Sequence, residues 1–359
     1  MWSIDADALE SIAIGAGILG TGGGGNPYLG KLSARRLLRS GKRIDVVSLD
    51  EVDDDWRIVT VGGMGAPTIT IEKISRGTET YDAMRALEGY VGRKIDAVIP
   101  AEIGGGNSIE PMIVAAQAGI PVIDADGMGR AFPTMPMITY FIYGVSCYPC
   151  AVCDEKGNKI VYTEGVDAHW LERLTRSAAV QMGGHAGAAV AYMTGADAKR
   201  TAIRDTLSWA RTVGDRVRAA RAQREDPLDA VLDATDGMLL FTGKIVGVDR
   251  RTVDGWVRGS VSIEGIDGFA GRAMDIAFQN ENLIAWIDGR VVTTVPDLIC
   301  IVNRDDGEPV TTEMLRYGYR IFVVGIPCSP MLRTPEALDV VGPPAFGYDL
   351  PFLPIESMR

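Results

Sequence analysis

The stretch "DAVIPAEIGGGNSIEPMIVAAQAGIPVIDADGMGRAFP", residues 96–133, decides how the first half of the chain is read. A short apolar run ends in Glu102 and three glycines, a helical pattern follows over 108–119, and a second apolar run enters "DADGMG". Strand, glycine connection, helix and strand in that order predict an α/β layer with a largely parallel sheet. In such sheets ligands gather at the C-terminal ends of the strands, which puts three segments in view: "GGMGAP" (62–67), "AEIGGGN" (101–107) and "DADGMGRAFP" (124–133).

Working outward, "IDVVSL" (44–49) and "RIVTVGGMG" (57–65) read as further strands and "TETYDAMRALEGYVG" (78–92) as a helix. "DADALESIAIGAGIL" (5–19) has helical apolar spacing, with Asp5 or Asp7 available as an N-cap, and a second helix follows Pro27 until Gly41. The glycines of "GTGGGGN" (20–26) therefore lie between two helices. "CAVCDEKGNKIVY" reads as a hairpin turning at "EKGN". Helices are expected over 167–182 and 201–222, and from about 237 the pattern becomes strands and turns. The expectation is an α/β domain over 1–166 and a β-rich C-terminal domain, sandwich or barrel, over 167–359, entered through helices.

A net charge of −11 argues against a nucleic-acid or anionic-membrane surface, because phosphates demand a basic footprint. The first residues carry three carboxylates and no cationic segment, so no signal peptide is read there and the expected location is cytoplasmic. The uncharged run over 131–153 is long enough to span a bilayer, but its three prolines favour a buried strand pair. Five cysteines form no even secreted-type framework. Cys147, Cys150 and Cys153 lack the nearby fourth thiol of a ferredoxin-like cluster and read as buried apolar side chains.

"GTGGGG" is not a P-loop, since no Lys-Ser/Thr closes it, and not a dinucleotide fingerprint, since a helix precedes it. It reads either as a nest of bare backbone donors for an anion or carbonyl oxygen, or as a close-packing turn. Glu102 stands where a parallel strand should end, as a general base, a metal ligand, or a bridge to a loop amide, with Asn107 expected to cap the next helix. Asp124 and Asp126, one residue apart, share a strand face, and Arg130 can pair with them or hold a substrate carboxylate. His169 reads as a surface residue, whereas His185 sits among glycine and alanine with its imidazole accessible. With two histidines in the chain, a three-His zinc site is impossible, so any zinc would need carboxylates or thiolates.

Taken together, "GTGGGGNP", "EIGGGNSIEP", "DADGMGRAFPTMPM", "QMGGHAGAA", "PDLICIVNRDDGEPVTTEMLRYG" and "VGPPAFGYD" resemble, in order and over nearly the whole chain, the S-methyl thiohydantoin desulfurase family. That resemblance implies a two-part protein acting in catabolism of five-membered cyclic ureides or their sulfur analogues, in company with hydantoinase/oxoprolinase-type enzymes. It carries over Gly22, Gly23, Gly24, Gly25 and Asn26, Glu102 with Asn107, and Asp124 to Arg130 as the motif-bearing positions. The expected function is hydrolysis of a thiohydantoin- or hydantoin-like ring. Glu102, Asp124, Asp126 and His185 are the candidate catalytic groups; the glycine loop, Asn26, Asn107 and Arg130 are the candidate substrate contacts. His185 and Glu102 are the candidate ligands of a divalent metal such as zinc. The alternative is a non-catalytic ligand-binding or regulatory subunit of a hydantoinase/oxoprolinase-type partner. A homo-oligomer is expected, and neither nucleic acid nor membrane as partner.

Overall fold

The computed structural model describes residues 1–65, 69, 73–253 and 256–358. The end of the "GGMGAP" segment, Ala66 and Pro67, lies outside the described residues. Among the described residues, ten strands fall in the first part of the chain: β1 (Trp2–Ser3), β2 (Asp45–Val47), β3 (Arg57–Gly65), β4 (Ala97–Pro100), β5 (Val122–Ile123), β6 (Ala125–Asp126), β7 (Cys150–Cys153), β8 (Lys159–Tyr162), β9 (His185–Thr194) and β10 (Ile203–Arg204). Eight of them form one sheet in the order β1-β2-β5-β4-β3-β9-β7-β8, while β6 pairs with β10.

The sheet is mixed. Its centre, β2-β5-β4-β3, is parallel, as the crossover pattern requires, but β1, β9, β7 and β8 run antiparallel at the flanks. The strand that extends it beyond β3 comes from past residue 166, because the alanine-rich run from His185 returns to pair with β3 and β7. Small side chains suit that place: Gly187 lies so close to the helix at Thr80 that an added Cβ would stand 2.3 Å from its backbone nitrogen.

Helix α1 (Ala6–Leu19) is capped by Asp5, whose side chain accepts from the Ala8 amide, and most of its residues are buried. It is covered by the later helix Thr206–Gln223. Gly15 and Gly214 permit that contact, since a Cβ at either would stand 1.8 Å from a carbonyl oxygen of the other helix. Burying Leu9, Ile12, Ile18 and Leu19 there contributes roughly 1.5–3 kcal/mol each before entropy is charged against it.

The uncharged run 131–153 is not a strand pair. Pro133 and Pro136 break the extended pattern, giving a short 3-10 turn (Met135–Met137) and a single helical turn (Thr139–Ile142) before β7 begins at Cys150. Among the described residues no helix is long and apolar enough to cross a membrane. All five cysteines are free and buried.

The C-terminal part is one curled antiparallel sheet of seven strands, β11 (Met238–Val253), β12 (Trp256–Gly265), β13 (Ala273–Gln279), β14 (Glu281–Ile287), β15 (Arg290–Thr294), β16 (Leu298–Asn303) and β17 (Arg320–Ile326). Their order, β15-β14-β13-β12-β11-β17-β16, leaves a half-barrel. The tip of its β13–β14 hairpin reaches the glycine loop, where the Asn282 amide donates to Thr21 O at 2.7 Å and the Thr312 amide to Gly22 O at 2.8 Å.

Candidate functional site

Two glycine-rich loops meet backbone to backbone at the C-terminal ends of β3 and β4. Gly25 O accepts from the Gly106 amide at 2.9 Å and Gly24 O from the Asn107 amide at 3.3 Å. A Cβ on Gly24 would stand 2.3 Å from Gly104 O, and one on Gly105 the same distance from Gly25 O. Gly24 and Gly25 also have positive φ, +72° and +78°, which β-carbon sterics disfavour. The glycines thus let two chain segments touch, and the carbonyls of Gly22, Gly24 and Gly25 are spent on neighbouring backbone amides. Gly24 and Gly25 line a cavity; Gly22 and Gly23 lie behind its wall.

That cavity, about 160 Å³, is enclosed by the loops, the ends of β3 and β9, the 128–138 segment and the β13–β14 hairpin tip. Its apolar wall includes Met64, Met128, Phe132, Met135 and Ile138, and Glu102, Asn107 and His185 face it. Glu102 Oε1 accepts from Asn107 Nδ2 at 2.7 Å and Oε2 from the Phe132 amide at 3.2 Å. Asn107 Oδ1 in turn accepts from the Gly63 amide at 2.9 Å. This corrects the expected helix cap: Asn107 sits in the 3-10 turn Gly105–Ser108 and ties Glu102 to the end of β3, while the next helix, Glu110–Ala118, has no side-chain cap.

Burial raises the Glu102 carboxyl to about 8, outweighing the two hydrogen bonds that favour its anion. Desolvation, with Lys73 adding to it, holds the His185 imidazole below its ordinary 6.5. At neutral pH the chamber therefore presents a protonated carboxyl and an uncharged imidazole. The imidazole lies over Gly63, where a Cβ would be 2.7 Å from Nε2. A wider outer chamber of about 400 Å³ borders the first, and both are lined by Gly24, Gly25, Gly63, Asn107 and His185.

The other expected site residues go elsewhere. Asp124 caps the helix Thr206–Gln223, accepting from the Ser208 amide at 3.0 Å and from its hydroxyl. Asp126 Oδ2 gathers the amides of Ile103, Met128 and Gly129 at 2.7–3.0 Å, holding together the two loops behind Glu102. Arg130 is fully buried and donates five hydrogen bonds, to Ala131 O, Pro296 O, Asp297 O, Thr21 Oγ1 and Asn282 O. A guanidinium has five N–H donors, so none remains for a substrate carboxylate. Asn26 caps the helix Pro27–Arg39 through the Tyr28 amide and borders only the outer chamber. His169 is exposed, as expected.

Glu102 and His185 share a wall, but among the described residues no group of three or more His, Cys, Asp or Glu side chains could hold a metal ion. The donor set does not fit zinc, which takes four ligands or three plus water.

Sequence reading missed Glu281, Glu172 and Arg176, all on the inner wall. Arg176 Nε donates to Glu172 Oε1 at 2.6 Å, and Glu172 Oε2 accepts from the Met135 amide at 3.0 Å. The available signal for Glu281 was the polar run "QNEN" (279–282) interrupting an otherwise apolar strand pattern.

Fold and site together define a two-part protein with a chamber of mixed polarity where the parallel centre of a mixed sheet meets a half-barrel. The chain belongs to the S-Me-THD-like family, that of S-methyl thiohydantoin desulfurase: it matches the N-terminal domain over residues 7–164 and the C-terminal domain over 166–355. A crystal structure of a protein from Chromobacterium violaceum is similar throughout, with a TM-score of 0.83 and 26% identity over 99% of this chain and 100% of that one. No curated protein matches.

Proposed function

We propose that the protein is a hydrolase acting on a thiohydantoin- or hydantoin-like five-membered ring, with Glu102 as general acid and His185 as general base. The observation that supports this reading is the pairing, on one enclosed wall, of a carboxyl that burial raises to about 8 with an imidazole that burial keeps uncharged. Acid–base catalysis needs both forms available at the working pH.

For an S-methylated ring the steps balance as follows. Water bonds through oxygen to the ring carbon bearing sulfur, and His185 takes one of its protons. The carbon–sulfur bond breaks and sulfur leaves as a thiol with the Glu102 proton. The proton on His185 and the one on the new hydroxyl then restore Glu102 and reach the ring nitrogen, leaving a carbonyl beside an N–H. Asn107 holds the Glu102 carboxyl in place throughout.

Incubation with S-methylated thiohydantoins and hydantoins, following ring absorbance and thiol release, tests the reading. Turnover by the wild type, and its loss in E102Q and H185Q, is expected. Absence of turnover on every such ring overturns it, and ring binding without turnover would favour a binding subunit.

A further inference from the structure

Two arginines stand near the inner chamber, and they are used differently. Arg130 is fully buried and spends all five N–H groups on the protein. Arg176, on the helix Ala168–Gln181, spends two: Nε donates to Glu172 Oε1 at 2.6 Å and Nη2 to Pro133 O at 3.4 Å. Its Nη1 has no hydrogen-bond partner among the described residues and keeps accessible surface, so its N–H groups stay free on a side chain that lines the chamber.

The guanidinium is also held in place. Trp256, at the start of β12, lies under it with the ring centroid 4.7 Å away, and the Trp256 indole donates to the same Pro133 O at 3.3 Å. Glu172 is fixed in turn, because its second oxygen accepts from the Met135 amide at 3.0 Å. A donor whose position is set before a ligand arrives costs little ordering when it binds.

We propose that Arg176 is the group by which the chamber holds its ligand, donating from Nη1 to the ring carbonyl oxygen remote from the sulfur-bearing carbon. This rests on reading the chamber as a thiohydantoin or hydantoin site, and it names the atom of the ring that is recognised. The acceptor follows from the chemistry of the ring: an S-methylated thiohydantoin has one ring oxygen, and a thioether sulfur is a weak acceptor. Holding that oxygen leaves the carbon bearing sulfur to Glu102 and His185. The wall also favours a carbonyl over a carboxylate. Glu172 already offsets the Arg176 charge, and Glu102 and Glu281 line the same chamber, so a ligand carboxylate would bring a further negative charge to three carboxyl groups.

The test is calorimetric titration of the full-length protein, which reads binding without turnover. The ligands are hydantoin, 2-imidazolidinone, which lacks the carbonyl in question, and hydantoin-5-acetate, which adds a carboxylate. The proteins are the wild type, R176M and R176K. Methionine removes the donors; lysine keeps a cation for Glu172 on a single nitrogen, which that pair occupies. The wild type should bind hydantoin, and bind 2-imidazolidinone about tenfold more weakly or not at all. Both variants should bind hydantoin about tenfold more weakly, with R176K melting close to the wild type. Hydantoin-5-acetate should bind no more tightly than hydantoin. A wild type that binds no hydantoin, or that binds 2-imidazolidinone as well as hydantoin, overturns the proposal, as does a folded R176K that binds hydantoin like the wild type. Tighter binding of the acetate that R176K abolishes would reassign Arg176 to a carboxylate and overturn it too. A wild type that binds hydantoin through Arg176 yet releases no thiol from any S-methylated ring leaves this inference standing and defeats the hydrolase reading.

Discussion

Two pairs of buried carboxyls lie within this fold, and they have opposite uses. Asp124 and Asp126 are one residue apart in an obvious motif, yet both are occupied by backbone amides: a helix N-terminus for the first, three loop N–H groups for the second. Glu102, in the loop after β4, and Glu281, on β14, are far apart in sequence, yet both line one cavity. The lesson is about placement. Asp126 and Glu281 each keep one unpaired buried oxygen and Glu102 has both oxygens paired, so what separates the pairs is that Glu102 and Glu281 line the cavity and the two aspartates do not.

The largest expected effect breaks the comparison on its functional side. E102Q should lower turnover at least about a hundredfold with the melting temperature held or raised, read by thiol release and calorimetry. If the same loss appeared in D124N at unchanged stability, the two pairs would not differ as described.

Stability against pH separates the pairs next. Glu102 has its folded carboxyl raised from 4.5 to about 8, so between these values the folded state keeps a proton that the unfolded chain releases. Its contribution therefore falls as pH rises through that window and is level above it. Denaturation at pH 5 and pH 9 should show E102Q losing less stability than the wild type, by a difference on the order of 4 kcal/mol. An identical pH dependence would show that Glu102 is not held neutral.

D126A should act on the scaffold, leaving three loop amides without their acceptor. A loss of about 1–3 kcal/mol is expected by chemical denaturation, with the kcat of the remaining folded protein within a few-fold of wild type. A collapse of kcat at unchanged stability would move Asp126 to the functional side.

G23A sharpens the picture at the junction of the two halves. It should lower stability, because the added Cβ would stand 2.0 Å from Glu281 Oε1 and 2.5 Å from its Cδ and Cγ, and G23A combined with E281A, which removes those atoms, should lose less than the two single losses summed, read by chemical denaturation. Additive losses would show that Gly23 does not make room for Glu281.

Much of the fold was legible in the sequence because periodicity and punctuation are local. The limits of β3, the flanking helices of the glycine loop, an aspartate cap at Asp5 or Asp7 and the turn between β7 and β8 follow from spacing and from Gly, Pro and Asp signals read within a dozen residues; the structure chose Asp5. Glu102 was legible for the same reason, as a carboxylate at a strand end before glycines. The return of β9 to the first sheet was not, because strand pairing across a long separation leaves no local mark.

By itself, then, the sequence determined the α/β crossover, the β-rich second half, the glycine junction and the membership of Glu102 and His185 among the candidate groups. Only the tertiary structure decided which polar residues are already satisfied. Arg130 and Asp124 look like site residues until their donors and acceptors are counted against the groups that surround them. Glu281 looks like an ordinary strand residue until the hairpin packs it on Gly23 at the chamber wall. Hydrogen-bond saturation depends on neighbours that folding brings together from distant parts of the chain, so no local pattern can report it.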